Sequence, residues 1–475
     1  MKTHLWNKKG DKILKSRKKV IVIGLDCATP ITLFKDFIDE CPNIKNLMET
    51  GVYGKLRSSD PPITVPAWMV MSTGKDAGKL GVYGFRHRDS NSYTNFWVAN
   101  SQTIKEPKIW DILGENGLKS VILGIPPTFP INPIDGNLVT GFITPDSLSN
   151  FTYPPQLKEE LSQITDNYVF DVKFRTEHKE QLLIDLYKMT RLHFDTIKYL
   201  ITKKEWNYCQ FVIIGLDRMH HAFWKYYDKS HQKYVAGNVY ESVIKNYYKF
   251  LDKQIGEVLG LLNNETMVMI VSDHGAKAMK GCLCINMALE KLGLLKFEQH
   301  PPPGTRLEDA KIDWSKTYAW GWGGYYARIF LNVKGREPQG IINPDEYEEW
   351  RNKVSDMIKS IPDDKGEPMN TKIIKPNELF ESLNGDAPDL MVYFDDLNWR
   401  SAGTMGYESI YLDENDTGPD DAVHDYFGIF IIQDPNQSIG KQLDNENIIN
   451  IAPTILNFFG IEKPKDMKGK IIELN

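Results

Sequence analysis

Three apolar runs in this chain each deliver an aspartate where they stop. Val20-Ile21-Val22-Ile23-Gly24-Leu25 ends in Asp26. Met267-Val268-Met269-Ile270-Val271 passes through Ser272 into Asp273, His274 and Gly275. Tyr208 to Ile214 leads through Gly215 and Leu216 to Asp217, with His221 four residues later. Runs this short and apolar read as buried strands. An amphipathic pattern from Val239 to Leu262 separates the strands ending at Asp217 and Asp273, which makes a βαβ unit and predicts parallel pairing. In open α/β sheets, ligands bind beyond the carboxyl ends of the strands. Aspartate and histidine gathered there suit zinc or a similar divalent ion.

Size and charge narrow the class. A chain of 475 residues, 41% hydrophobic and 25% charged, fits a soluble protein with one large α/β domain and an insertion, or two domains. A net charge of −6 gives no global attraction for nucleic acid. The cysteines, Cys27, Cys41, Cys209, Cys282 and Cys284, are odd in number and scattered, which favours reduced thiols and a cytoplasmic location. Cys282-Leu283-Cys284 has no second pair to complete a metal site and reads as two small apolar residues. Residues 1–17 read as a basic, solvated arm, since the apolar run after them is too short for a signal or membrane segment.

Residues 18–280 and 420–475 read as one catalytic core, with a helical excursion at about 150–205. Residues 281–419 read as an inserted α+β cap, richer in proline and glycine. Within the core, Asp60-Pro61-Pro62-Ile63-Thr64-Val65-Pro66 cannot be a central strand. Pro66 suits the first turn of a helix, so Thr64 falls just before a helix N-terminus, where an anion is favoured.

Asp26, Asp217, Asp273, His221, His274, His424 and Thr64 can together build two adjacent divalent-metal sites sharing the threonine. Two ions bring four positive charges, and three aspartates return three. Any one of these residues alone reads as a turn aspartate or a packed histidine. His220 has no place in the pattern and reads as structural, and His87 and Arg86 as residues flanking a loop.

These motifs carry a resemblance. Gly24-Leu25-Asp26, the Pro62-Ile63-Thr64-Val65-Pro66-Ala67-Trp68 segment with Thr73-Gly74, Asp217-Arg218-Met219-His220-His221, Ser272-Asp273-His274-Gly275 and His424 resemble the alkaline phosphatase superfamily, and within it the type I phosphodiesterase/nucleotide pyrophosphatase family. Ile451-Ala452-Pro453-Thr454 and the segment Lys334 to Pro338 fit the same family. The resemblance implies a three-layer αβα alkaline-phosphatase-like core with a mostly parallel sheet. It implies two metal ions, zinc first, with manganese or iron as alternatives. Asp217, His221 and His424 would hold one, Asp26, Asp273 and His274 the other. Thr64 would bridge them as the nucleophile that forms a phosphothreonine.

The implied reaction is hydrolysis of a small phosphodiester or nucleotide pyrophosphate. Phe85 stands where such enzymes place a phosphate-binding asparagine, which weakens the nucleotide assignment. Thr64 at the nucleophile position, and Cys41-Pro42 outside any sulfatase-like motif, argue against a sulfatase. Substrate contacts are expected from Arg218 and from Trp320, Trp322 and Tyr325 on a glycine-rich cap loop, with Arg328, Arg336 and Arg400 as weaker candidates. The alternatives are a phosphomonoesterase or phosphomutase on the same core and a silent metal-binding module. No dense cluster of arginine and lysine stands out along the chain, which counts against a mutase.

Overall fold

The computed structural model describes residues 18–89 and 91–474, so the basic arm expected over residues 1–17 lies outside the described residues. A ten-stranded sheet forms the middle layer. Eight of its strands are β1 Lys19–Leu25, β2 Val52–Arg57, β3 Ser120–Leu123, β4 Gly136–Val139, β5 Thr152–Tyr153, β6 Tyr208–Ile213, β7 Thr266–Val271 and β8 Phe427–Gln433. They lie in the order β2-β8-β7-β1-β6-β3-β4-β5, and the short strands Lys441–Gln442 and Glu446–Asn447 pair with β2. β1 is parallel to both β6 and β7, and β3 is parallel to β6 and β4. β8 is antiparallel to β7 and β2, and β5 to β4.

The period of two along β1 divides the core into two layers. Ile21, Ile23 and Leu25 face a cluster that includes Phe194, Leu216 and Ile255, from the helices Lys179–Lys203, Gly215–Tyr227 and Val243–Leu259. Val20 and Val22 face the opposite cluster, with Trp68, Leu113 and Ile455 from the helices Thr64–Thr73, Ile109–Glu115 and Ile451–Phe458. Because both faces are covered, the central strands need no polar side, which is why they read as unbroken apolar runs. Each fully buried Leu, Ile or Val contributes roughly 1.5–3 kcal/mol relative to exposure.

Residues 281–419 build a third apolar cluster around Ile285, Trp320, Phe330 and Val392. Ala319–Trp322, Ala327–Leu331, Leu390–Tyr393 and Lys372–Ile374 form a four-stranded antiparallel sheet there. Gly281–Cys284 is a buried strand between Trp399–Ala402 and Tyr411–Leu412, so Cys282 and Cys284 serve packing, and the thiols of all five cysteines are free. Among the described residues no helix is long and apolar enough to cross a membrane.

Several elements differ from the sequence reading. The helical excursion is two helices, Leu157–Leu161 and Lys179–Lys203, rather than a continuous pattern. Tyr168 and Phe170 between them are pinned against Phe151 by ring contacts of 5.3 and 5.1 Å, which holds that stretch out of helix. The second long helix is Val243–Leu259, shorter at both ends. Thr64 is the first residue of its helix, one position inside the expected boundary. Asp217 belongs to the first turn of Gly215–Tyr227 instead of a strand end, which puts it on one helix face with His221.

Candidate metal centre

The carboxyl ends of β1, β6 and β7 bring the candidate ligands together. Asp26 follows β1 directly, Asp217 enters on the helix after β6, and Asp273 and His274 follow β7. His424 arrives by a different route. Its strand Ala422–Asp425 pairs antiparallel with Gly275–Ala278, in a register that sets His424 opposite Ala276. The His274 and His424 rings stack with centroids 3.6 Å apart.

Two groups result. In one, His221 Nε2 is 3.2 Å and His424 Nε2 3.8 Å from Asp217 Oδ1. In the other, His274 Nε2 is 3.2 Å from Asp273 Oδ2 and 3.7 Å from Asp26 Oδ1. All six residues are buried, and within each group the donor atoms lie within 4.8 Å of one another. Two donors on a tetrahedral zinc with bonds of about 2 Å sit roughly 3.3 Å apart, so these separations suit a cation between them. Asp26 Oδ1, Asp217 Oδ1, Asp273 Oδ2 and His424 Nε2 are buried without a hydrogen-bond partner. Such atoms cost free energy unless something binds them, and a divalent ion in each group would use all four.

Their other atoms are held firmly. Trp68 Nε1 donates to Asp26 Oδ2 at 2.8 Å, and the Cys27 amide to Asp273 Oδ1 at 3.1 Å. Cys27 itself takes a left-handed φ of 67°. Arg218 Nη1 donates to Asp217 Oδ2 at 2.6 Å. His424 Nδ1 pairs with the Pro62 carbonyl at 2.9 Å, and His221 Nδ1 with Asp420 Oδ1 at 2.7 Å. Bonds at Nδ1 leave each Nε2 facing the site, the usual way a ligating imidazole is oriented.

The electrostatics point the same way. Burial, then Asp273 and Asp217, pushes the Asp26 carboxyl well above the usual range. Burial likewise raises Asp273, with Asp217 adding to it. Burial would raise Asp217 too, but His221 and Arg218 outweigh it and hold it low. Burial pushes His274 down to about 4, and burial with His274 and His221 lowers His424, so both rings are neutral. His221 differs: burial opposes its charge, but Asp420, Tyr325 and Asp217 outweigh it and raise that ring well above its ordinary value. A divalent ion in each group would favour the ionised form of the raised Asp26 and Asp273 carboxyls. Cys27, Asp217 and His274 form a third overlapping group. Burial raises the Cys27 thiol well above its normal value and its Sγ points to the Gly275 carbonyl at 3.5 Å, so a protonated thiol fits better than a ligand there.

Thr64 Oγ1 lies 3.3 Å from His274 Nε2. It lines a cavity of about 440 Å³ together with Asp217 and His424. Ile63, at the N-cap of the Thr64–Thr73 helix, supplies no side-chain cap, so the first amides of that helix keep no capping partner.

The cap residues divide. Trp322 and Tyr325 line the cavity. Tyr325 stacks on His424 at 3.6 Å, and its hydroxyl is 3.1 Å from His221 Nε2. Trp320 does not line it. It is fully buried against Tyr93, Trp314 and Phe330, further back along the same strand as Trp322, whose side chain reaches the cavity at the strand end. Arg218 lines the cavity but is committed to Asp171 as well as Asp217. Arg336 is tied to Asp389. His220 is structural, bonded to the Cys27 carbonyl and the Tyr248 hydroxyl. The sequence reading of no basic cluster is corrected: Arg86, Arg175, Arg218, Arg306, Arg328 and Arg400 all line the cavity. They come from six separate segments, so no local run reveals them.

Asp420 escaped the sequence reading. Besides His221 it holds Arg175 at 2.9 Å and Arg400 at 3.3 Å. Its place four residues before His424 was the available signal.

No curated protein matches the sequence. Human ectonucleotide pyrophosphatase/phosphodiesterase 5 has a similar structure, with a TM-score of 0.56 at 13% identity over 94% of this chain and 96% of that one. The murine protein, solved as an inactive threonine-to-alanine variant in complex with AMP, gives 0.55 at 12% identity over the same shares. These likenesses establish the alkaline-phosphatase-like fold. The family model for type I phosphodiesterase/nucleotide pyrophosphatase matches residues 20–420. The chain therefore belongs to the type I phosphodiesterase/nucleotide pyrophosphatase family and is a hydrolase acting on phosphorus ester bonds.

Proposed function

We propose that the protein hydrolyses a small phosphodiester or nucleotide-type phosphoanhydride through a phosphothreonine on Thr64, with two divalent metal ions, zinc first. The observation that carries this reading is the position of Thr64 Oγ1 beside His274 Nε2 on the cavity floor, next to both carboxylate–histidine groups. Asp217, His221 and His424 would hold one ion and Asp26, Asp273 and His274 the other. Bound there, the ions would lower the proton affinity of the Thr64 hydroxyl and neutralise charge on the departing oxygen.

In the first displacement Thr64 Oγ1 bonds to phosphorus as the bond to the leaving alcohol or phosphate breaks. The rest of the substrate stays on Thr64 as a phosphodiester until water attacks the phosphorus, the Thr64 Oγ1–P bond breaks, and a phosphomonoester leaves as the hydroxyl is restored. Dividing one difficult displacement into two lowers each barrier. The free amides at the start of the Thr64–Thr73 helix are placed to donate to a nonbridging oxygen.

The six arginines around the cavity favour a second reading, a phosphomonoesterase or phosphomutase that holds a dianion. Hydrolysis of bis-p-nitrophenyl phosphate against p-nitrophenyl phosphate separates the two. The diester should be preferred, with activity lost on chelation and restored by zinc. Thr64→Ala should reduce kcat by at least about 10³-fold, since it removes the nucleophile. Acid-quenched wild type turning over the diester should carry a p-nitrophenyl phosphoryl group on the Thr64 peptide by mass spectrometry. Monoester preference, or a Thr64→Ala enzyme of near wild-type rate, would overturn the proposal.

A further inference from the structure

The six cavity arginines are not equivalent. Arg175 and Arg400 share the Asp420 carboxylate, and Arg218 is paired with Asp171 and Asp217. Arg86, Arg306 and Arg328 line the same cavity and, among the described residues, none has a carboxylate within ion-pair distance. Asp416 on this wall is occupied by the amides of Gly403 and Thr404 and the Thr404 hydroxyl. Glu308 is the remaining wall carboxylate, so the outer wall stays net positive.

Arg328 is the telling member. It is 8% exposed, and its guanidinium donates to one group, the backbone carbonyl of Arg86. Its Cζ lies 5.2 Å from the Trp322 ring centre, and Arg86 Cζ lies 5.0 Å from that of Phe96. The Phe96 and Trp322 rings meet edge to face at 6.0 Å, which joins the two arginines into one wall. A guanidinium carries five N–H donors in a fork shaped for a carboxylate or phosphoryl group. Burying that charge with a single neutral acceptor is costly unless an anion completes it.

We propose that Arg328, supported by Arg86 and Arg306, forms a second oxyanion subsite, and that the substrate bears a further phosphoryl or carboxylate group away from the phosphorus attacked by Thr64. The proposal rests on the phosphodiesterase reading for its kinetics but not for its binding. Two measurements keep them apart.

In the first, calorimetry of chelated, metal-free protein uses pyrophosphate and citrate as probes. Wild type should bind at least one of them, pyrophosphate if the group is phosphoryl and citrate if it is carboxylate. Affinity should fall with salt, and Arg328→Gln should weaken binding about 10- to 100-fold, the worth of a charge-assisted pair. Absence of binding by both probes, or equal binding by the variant, would overturn the subsite.

In the second, zinc-loaded enzyme is given thymidine 3′-(p-nitrophenyl phosphate) with and without a 5′-phosphate. The 5′-phosphate should raise kcat/KM by about 10- to 100-fold, Arg328→Gln should remove most of that preference, and Arg328→Lys should restore part of it. No preference in wild type, or one unchanged in Arg328→Gln, would overturn the inference. If neither diester is cleaved, the reaction assignment fails, and the calorimetry still decides the subsite.

Discussion

Asp420→Asn is the substitution whose consequence is most completely set by the geometry. The Asp420 carboxylate is fully buried and serves three partners, His221 Nδ1 at 2.7 Å, Arg175 at 2.9 Å and Arg400 at 3.3 Å. Burial opposes its charge, yet His221, Arg175 and Arg400 hold its carboxyl well below the usual range. Asparagine keeps the volume and one acceptor oxygen. It removes the negative charge that would make His221 a better metal ligand and that Arg175 and Arg400 share, and its NH₂ must face one of three donors. Losing a partner of this kind weakens metal affinity by about 10- to 100-fold, or roughly 1.4–2.7 kcal/mol. The loss should be confined to the Asp217–His221–His424 group, because Asp26, Asp273 and His274 make no contact with Asp420. Competition with a chromogenic zinc chelator at fixed pH should show two tight sites in wild type, and one tight and one weakened site in the variant. Equal weakening of both sites, or less than about a twofold change at either, would refute the argument that Asp420 acts through His221.

Two further substitutions probe the surroundings. Gly24→Ala would place a Cβ 2.7 Å from Trp68 Cη2 and 2.8 Å from the Phe211 carbonyl. It should cost about 1–3 kcal/mol in chemical denaturation and also weaken zinc binding, since Trp68 holds Asp26; a variant with wild-type stability would refute the close packing. His87 is buried and pushed down to about 3 by burial and then Arg328, while its Nε2 accepts the Tyr83 amide at 2.8 Å. A lowered histidine pKa means the unfolded chain binds more protons between pH 3 and 6.5, so stability falls as pH drops below 6.5. The loss from this group should reach about 2 kcal/mol at pH 5, and His87→Gln, which keeps an acceptor but cannot titrate, should flatten that part of the profile; identical slopes would refute it.

The sequence by itself determined the central layer and which carboxylates and imidazoles gather at its edge. β1, β6 and β7 are legible because strands covered on both faces carry no polar alternation. Asp26, Asp217, Asp273 and His274 are legible because each lies within a few residues of such a strand, where chain direction alone fixes which sheet edge it reaches. The interruption of the helical excursion was not legible, since the contacts of Tyr168 and Phe170 with Phe151 override local propensity. Trp320 and Trp322 look alike in sequence, and only the packing of their strand sends one into the cap core and the other to the cavity. The tertiary structure alone placed Asp420 behind His221 and gathered arginines from six segments around one cavity. Those positions carry no periodicity or fixed spacing. Their charges meet because segments far apart in the chain pack around one cavity, and long-range packing of that kind leaves no local pattern in the chain.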